Sequence, residues 1–288
     1  MSFDDLPHLP PLLNPGAAEY AARCMAATRL VQKNTKVLVD CRYGSDYWQK
    51  LDVYLPAAAG ASSLPCLVFF HGGAWINGTK EWMGFMAPPI LSAPAIFVAA
   101  NYRLAPAVKH PALVEDCLDA LAWVRARLAQ WGGDPDRLFV GGHSAGGHLA
   151  ALAVLDRARA QAHGLPAQAV RGCLAVSAPF DLRGARATAA SQKAYEALLA
   201  TPQDAASASP IAFVDDQAPP FFIAWGDGDF PALMNQAPAM AEALRSHGRV
   251  VRTLQIAGAD HFRANEVCAD PHGDWARLAM RWLAGSID

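Results

Sequence analysis

The chain has 288 residues, with 24 Lys and Arg against 26 Asp and Glu, which gives a formal net charge of −2. A net charge this close to zero, and slightly negative, does not favour binding to nucleic acid or to an anionic membrane surface. Hydrophobic residues make up 53% of the chain and charged residues 17%, which excludes an intrinsically disordered protein and allows a large core. The six cysteines form no C-x-x-C pair, so we expect reduced thiols rather than a disulfide scaffold.

The chain begins with MSFDDLPHLP, which lacks the basic start and apolar run of a secretory signal. Residues 82–102 are uncharged over 21 positions, long enough to span a bilayer. They contain three prolines and end in the strand-like run AIFVAANY. We therefore predict a buried loop followed by a core strand, in a soluble and cytoplasmic protein.

Short apolar runs in the first hundred residues predict the first strands. Residues 37–39 and 51–55 predict an antiparallel pair, and residues 66–70 and 95–99 are continuous apolar runs. Buried parallel strands have this character because helices cover both of their faces. From residue 111 the spacing of apolar residues changes to three and four, which predicts one face of a helix. The residues on this face are Leu113, Cys117, Leu121, Val124 and Leu128.

Strands and helices alternate through the rest of the chain. The predicted elements, in order, are strand 138–140, helix 145–155, strand 170–176, an Ala-rich helical insertion, strand 221–225, a helix through Met240 and Leu244, strand 250–256 and helix 274–283. This alternation predicts an α/β fold whose mostly parallel central sheet is flanked by helices. Ligands bind at the carboxyl ends of the strands in such sheets, so we expect the chemistry there.

A G-x-S-x-G sequence, Gly142–Gly146, lies between the predicted strand 138–140 and the helix that follows it. The pattern alone is weak evidence, but a serine on a tight strand-to-helix turn has its hydroxyl exposed at the sheet edge. The helix N-terminus also presents free N–H groups to developing negative charge. Ser144 is therefore the candidate nucleophile, and the alternative is a glycine-rich turn with a capping serine.

A second glycine-rich turn, His71-Gly72-Gly73-Ala74-Trp75, follows the predicted strand 66–70. The N–H groups of Gly73, Ala74 and Ala145 could together form an oxyanion hole for a tetrahedral intermediate. We predict that His71 braces this loop rather than taking part in catalysis. Trp75 is a candidate wall for an aromatic substrate, with a core tryptophan as the alternative, and the aromatic segment 82–85 could line the same pocket.

A serine nucleophile needs a base, and the base needs a carboxylate to orient it. Of the nine histidines, His261 follows a predicted strand in the loop Gly-Ala-Asp-His-Phe, and it is the candidate base. Asp227 and Asp229 both follow the preceding strand, and either can be the acid. The order Ser, Asp, His is that of the α/β-hydrolase catalytic triad. No H-E-x-x-H sequence occurs, so a metallohydrolase is not favoured.

The sequences HGGAW, GHSAGGHLA, Gly226–Asp229 and G-x-x-H-F resemble those of α/β-hydrolases of the esterase and lipase type. NYRLAP at 101–106 is similar to the hormone-sensitive-lipase-like carboxylesterases. The HGGAW loop, Gly-His-Ser-Ala-Gly and the VSAPFDL segment at 176–182 are closer to the arylformamidase (kynurenine formamidase) branch. The resemblance extends from about residue 43 to residue 283.

The resemblance assigns Ser144 as nucleophile, His261 as base and Asp229 as acid, since the family's acid falls three residues after the glycine. Two departures from the hormone-sensitive-lipase pattern favour the formamidase-like branch. His143 stands where that pattern has Asp, and Ala74 replaces its third oxyanion-loop glycine.

The resemblance implies a single α/β-hydrolase domain over residues 1–288, with a helical lid region at 1–35. A cap insertion is expected at 183–209.

We therefore predict a cofactor-independent serine hydrolase that cleaves a small carboxylic ester or an N-aryl formamide. The first alternative is a hormone-sensitive-lipase-type carboxylesterase without formamidase activity. The second is a non-catalytic ligand-binding homologue, which we expect to lack the serine or the histidine, whereas this chain has both. We predict no metal, nucleic-acid or membrane partner. A homodimer stays open, since an edge strand or a terminal helix could pair.

Overall fold

The computed structural model describes residues 3, 6–7, 9–57, 62–184 and 188–287. Its central feature is one eight-stranded sheet. The strands are β1 (Lys36–Arg42), β2 (Lys50–Leu55), β3 (Leu64–Phe70), β4 (Ile96–Ala100), β5 (Gly133–His143), β6 (Val170–Val176), β7 (Phe221–Gly228) and β8 (Val251–Asp260). They lie in the order β1-β2-β4-β3-β5-β6-β7-β8. β2 pairs antiparallel with β1 and β4, and the remaining pairs are parallel.

Helices within the described residues cover both faces of this sheet. They are α1 (Ala17–Asn34), α2 (Ala87–Ser92), α3 (Ala112–Arg125), α4 (Ala145–Leu155), α5 (Arg157–Ala162), α6 (Ala189–Leu198), α7 (Pro231–Ser246), α8 (Arg263–Glu266) and α9 (Asp274–Leu283). Short 3₁₀ turns occupy Lys80–Trp82, Gly84–Met86, Leu128–Trp131, Pro202–Ala205, Pro210–Phe213 and Val267–Ala269. The predicted α/β architecture with a mostly parallel sheet is confirmed.

Two hydrophobic clusters form the core, one on each side of the sheet. β3 and β4 are buried along their whole lengths, as their continuous apolar runs predict. Residues alternate between the two clusters along β3, with Val68 on one side and Leu67 and Phe69 on the other. The rigid centre of the sheet therefore holds the loops that leave its carboxyl edge.

The uncharged segment 82–102 folds differently from the loop and strand that its composition predicts. The strand is present as β4, but the part before it forms a 3₁₀ turn at Gly84–Met86 and the short helix α2. Proline is compatible with the first turn of a helix, where the N–H has no intrahelical partner, and α2 has proline there. Among the described residues, no helix is both long enough and apolar enough to cross a membrane.

A buried ionic cluster fixes the segment before Trp82 to the first two strands. The Lys80 ammonium lies 2.7 Å from Asp52 Oδ1, 2.7 Å from Glu81 Oε1 and 3.1 Å from Asp40 Oδ1. The side chains of Lys80 and Asp52 are completely buried. Burial raises the pKa of Asp52 to about 6. Burial acts to lower the pKa of Lys80, but the attraction of Asp52 and Glu81 raises it overall, so the ammonium persists at neutral pH.

We expect Lys80→Met to lower the free energy of unfolding by about 3–5 kcal/mol, because it leaves buried carboxylates without a counter-charge. Lys193→Met removes the same charge from an exposed position on α6 and should change the free energy by less than about 0.5 kcal/mol. Urea denaturation of both variants measures the difference. Equal stability of the two variants would contradict the importance of the cluster.

Candidate active site

Four strands of the sheet end at the same edge, and each is followed by one predicted part of the site. Ser144 follows β5, and the loop 71–74 follows β3. Asp229 follows β7, and His261 follows β8. Parallel strands bring these distant parts of the sequence together at one edge, which is where ligands bind in α/β sheets.

The backbone at Ser144 makes a sharp turn between β5 and α4. Its φ is 53° and its ψ is −121°, a conformation that residues with a Cβ rarely adopt. The Ser144 N–H donates to the carbonyl oxygen of Val176 at 2.8 Å, which ties the turn to the end of β6. A Cβ on Gly146 would lie 2.2 Å from the Phe70 carbonyl oxygen, so glycine is required where α4 crosses the end of β3.

Ser144, His261 and Asp229 form a continuous hydrogen-bonded series. The Ser144 Oγ lies 3.0 Å from His261 Nε2, and His261 Nδ1 lies 2.8 Å from Asp229 Oδ1. An ionised carboxylate only accepts hydrogen bonds, so Nδ1 of His261 carries the proton. In the neutral ring Nε2 is then free to accept the proton of the Ser144 hydroxyl. The structure thus brings together the three residues that the sequence proposed for catalysis.

The environment of Asp229 keeps its carboxylate charged although it is buried. Burial acts to raise its pKa, but the hydrogen bond and charge interaction with His261 lower the pKa below its ordinary value. The N–H of Phe230 also donates to Oδ1 at 2.7 Å. The Ser177 hydroxyl contributes to the lowered pKa of Asp229, and Ser177 is itself buried with a φ of 52°. Asp227, the other candidate acid, is exposed.

His71 fixes the glycine-rich loop after β3. Its Nδ1–H donates to the Gly72 carbonyl oxygen at 2.7 Å, and burial lowers its pKa to about 4, so the ring is neutral. The Gly73 carbonyl accepts from the N–H groups of Ile76 and Asn77 at 3.2 and 3.0 Å. Carbonyl and N–H groups of one trans peptide point in opposite directions. The N–H groups of Gly73 and Ala74 are therefore directed away from these two occupied carbonyls.

The loop lies close against Ser144. A Cβ on Gly72 would be 3.2 Å from the Cβ of Ser144, and Gly73 and Ala74 line the same cleft as Ser144. Ala145 is the first residue of α4, so its N–H has no partner within the helix. The three predicted oxyanion donors thus occur around the serine. Ala74 holds a φ of 54°, a strained value for a residue with a Cβ.

The cleft over Ser144 encloses about 60 Å³, and several of its walls were not identified from the sequence. Phe230 follows the candidate acid, and its ring stacks on the His261 ring with centroids 4.5 Å apart. Phe262 follows the candidate base and also lines the cleft. Each phenylalanine directly follows a catalytic candidate in the sequence, and this position could have identified it as a wall of the cleft. The lid region 1–35 supplies further walls, namely Leu12, Leu13, Asn14, Ala17 and Tyr20. Ile76, Asn77 and His143 also line the cleft and were not predicted to do so.

The structure places Trp75 in the core. Its side chain is 3% exposed, its indole N–H donates to His148 Nδ1 at 3.1 Å, and its ring packs against Tyr195. His148 Nε2 in turn donates to the carbonyl oxygen of Ala208 at 2.7 Å. A φ of 64° at Trp75 directs this side chain to its packing position. From the aromatic segment 82–85, Trp82 lines the cleft.

Over the described ranges, no group of three or more His, Cys, Asp and Glu side chains is arranged to hold a metal ion. The reactive groups proposed for the cleft are the Ser144 hydroxyl, the His261 imidazole and the backbone N–H groups around them. This set can bind and polarise a carbonyl group and transfer one proton at a time.

Comparison with known proteins agrees with this chemistry. The kynurenine formamidase of Danio rerio is 29% identical over 266 residues, which cover 91% of this chain and 87% of the relative. The esterase LipC of Mycobacterium tuberculosis is 32% identical over 234 residues. That match covers 76% of this chain but only 58% of LipC, so the chain spans little more than half the length of this relative.

Solved esterases share the fold. The carboxylesterase EstE1, cloned from a metagenomic library, superposes with a TM-score of 0.70 at 25% identity, covering 94% of this chain and 96% of EstE1. The hyperthermophilic esterase of Pyrobaculum calidifontis gives a TM-score of 0.74 at 25% identity, covering 94% and 91%. Residues 51–244 match the BD-FAE family. The chain therefore belongs to the BD-FAE family, within the α/β-hydrolases of the esterase superfamily.

Proposed function

We propose that this hydrolase cleaves a small carboxylic ester or N-aryl formamide through an acyl-enzyme formed on Ser144. The hydrogen-bonded series from Ser144 through His261 to Asp229 carries the proposal, because it supplies a nucleophile, a base and an orienting carboxylate at hydrogen-bonding distances. Kynurenine formamidase and esterases among the similar proteins support the same two substrate classes.

The geometry supports each step of the proposed reaction. His261 Nε2 takes the hydroxyl proton as Ser144 Oγ attacks the substrate carbonyl, and the N–H groups of Gly73, Ala74 and Ala145 stabilise the oxyanion. The protonated His261 then donates to the departing alcohol or aniline while the acyl group stays on Ser144. A water molecule attacks the acyl-enzyme with His261 as base again, which releases the acid and restores Ser144.

The cleft favours a short acyl group and an aromatic leaving group. A volume of about 60 Å³ around Ser144 suits a formyl or acetyl group better than a long chain. Phe230 is 38% exposed over the base and offers an aromatic surface to the leaving group. A carboxylesterase without formamidase activity is the second candidate, supported by the carboxylesterase with the same fold.

We infer that the N-terminal segment acts as a lid within a single domain. The Asn77 side-chain amide donates to the Pro10 carbonyl oxygen, which attaches this segment to the oxyanion loop, and Leu12 and Leu13 line the cleft.

We also propose that residues 183–209 form a cap insertion, and the contacts of α6 support this proposal. It packs on Trp75 through Tyr195, and the Lys109 ammonium donates to the carbonyl oxygens of Glu196 and Leu199. Residues 185–187 of this segment lie outside the described residues.

A cytoplasmic location is part of the proposal. All six cysteines are free thiols and five of them are buried, which fits a reducing compartment.

The first test compares N-formylkynurenine with short- and medium-chain p-nitrophenyl esters by kcat/KM, with Ser144→Ala as the control. We expect acetyl to exceed octanoyl esters by at least about tenfold, because the cleft is small. A formamide preference of about a hundredfold would identify a formamidase. Fast ester turnover without formamide turnover identifies the second candidate, and unchanged turnover by Ser144→Ala would contradict the mechanism.

The choice of acid is tested by Asp229→Asn against Asp227→Asn. We expect Asp229→Asn to lower kcat by a factor on the order of 10⁴, because an amide at this position stabilises the wrong tautomer of His261. Asp227→Asn removes the same charge from an exposed site and should leave kcat within about twofold. A large loss with Asp227→Asn, or none with Asp229→Asn, would reverse the assignment.

The role of Phe230 is tested by the ratio of kcat/KM for phenyl acetate to that for ethyl acetate. Phe230→Ala should lower this ratio about fivefold, since an aromatic contact with the leaving group is lost. A weakened His261 alone should not lower this ratio, because the ethoxide leaving group depends on protonation by His261 at least as much as phenoxide does. Phe230→Leu keeps apolar bulk without the ring and should lower the ratio to a similar extent. An unchanged ratio in both variants would exclude this contact.

A further inference from the structure

Two buried side chains, Tyr20 of α1 and His143, connect helix α1 to the backbone of His261, and Asn265 of α8 contacts the first of them. The Asn265 side-chain amide donates to the Tyr20 hydroxyl oxygen at 2.7 Å. The Tyr20 hydroxyl lies 3.5 Å from His143 Nδ1, and His143 Nε2 lies 3.0 Å from the carbonyl oxygen of His261. Tyr20 is 1% exposed, His143 2% and Asn265 0%, so water does not compete for these groups.

The direction of each hydrogen bond in this series is determined. The His261 carbonyl oxygen can only accept, so His143 Nε2 must carry a proton and donate. Burial, aided by the nearby His261, lowers the pKa of His143 to about 3, so its ring is neutral and Nδ1 is an acceptor. The Tyr20 hydroxyl can then donate to Nδ1 while it accepts from Asn265. The donors and acceptors from Asn265 to the His261 carbonyl are therefore complementary.

The same side chains also pack around the base. The Tyr20 ring stacks on Phe262 with centroids 5.0 Å apart and meets Trp82 edge-on at 6.1 Å. The His143 ring lies 4.8 Å from the His261 ring. Phe262 directly follows His261, so these contacts constrain the loop on both sides of its hydrogen-bonded carbonyl. A base must be held within about 0.5 Å of its productive position to take a proton efficiently.

We propose that Tyr20 and His143 are positioning residues, which hold His261 against Ser144 and make activity depend on the docking of α1. The inference rests on the proposed function, since it assumes that His261 is the base. Tyr20 and His143 line the cleft, yet their polar atoms contact each other and the His261 backbone. They therefore act on the reaction through His261.

The test uses three variants of the full chain and one matched control. His143→Leu removes the donor to the His261 carbonyl, and His143→Gln replaces it with an amide Nε2 that can donate to the same oxygen. Tyr20→Phe removes only the hydroxyl and keeps the ring contacts. Tyr54→Phe removes another buried phenol hydroxyl, one that accepts from Gln32 away from the cleft, and it controls for a general loss of stability.

With p-nitrophenyl acetate as the substrate, we expect His143→Leu to lower kcat about tenfold with KM within about twofold. His143→Gln should recover most of this loss, Tyr20→Phe should lower kcat about threefold, and Tyr54→Phe should leave kcat unchanged. Wild-type kcat in both His143→Leu and Tyr20→Phe would overturn the proposal. So would losses that appear only in KM or only in the melting temperature.

A second readout requires no substrate. The Nδ1 proton of His261 is hydrogen-bonded to Asp229, so we expect it to resonate in the downfield region of the proton NMR spectrum. We expect His143→Leu to shift or broaden this resonance, and His143→Gln and Tyr54→Phe to preserve it. An unchanged resonance in His143→Leu contradicts the positioning role. If the wild-type protein hydrolyses no ester or formamide while the resonance responds as expected, the proposed function fails and the positioning of His261 stands.

Discussion

The conformation of the backbone at Ser144 is the constraint on which the rest of the site depends. A φ of 53° at a residue with a Cβ costs about 1–3 kcal/mol, and it persists only where the surroundings hold it. Here the Val176 carbonyl accepts the Ser144 N–H, and every residue of the following helix α4 is buried. The helix cannot rotate to relieve the turn without losing its packing. The strain is therefore retained, and it places the hydroxyl within reach of His261.

Buried histidines hold the loops around this turn. His71 donates to the carbonyl of Gly72, His143 to that of His261, and His148 to that of Ala208. Burial lowers the pKa of each, to about 4, 3 and 3, so each ring is neutral at physiological pH. A neutral imidazole offers one donor and one acceptor, which suits it to connecting a backbone carbonyl with another group. His261 differs because its two nitrogens contact Ser144 and Asp229, the other two residues proposed for catalysis.

Much of the fold was predictable because parallel strands buried on both faces have continuous apolar sequences, as in β3 and β4. The triad candidates were predictable for a related reason. Each lies just after a strand, so the topology alone brings them to one edge. The choice between Asp227 and Asp229 needed the family resemblance, and in the structure Asp229 contacts His261 while Asp227 is exposed.

Other features depend on contacts between distant residues that no local pattern encodes. Tyr20 contacts His143 across 123 positions of sequence, so its part in the cleft could not be inferred from the residues around it. Lys80 and Asp52 are buried as an ion pair. From the sequence, each charged residue taken by itself is expected at the surface. The side chain of Trp75 depends on a positive φ, which the sequence does not predict for a tryptophan.

The central claim is that Ser144 is the nucleophile and that His261 activates it. The most direct measurement is labelling with a fluorophosphonate, followed by mass spectrometry of the digested protein. The account predicts one phosphonyl group per chain, located on Ser144, and labelling slowed by a factor on the order of 10³ or more in His261→Ala. Labelling at another residue, or equally fast labelling of Ser144 in His261→Ala, would contradict it.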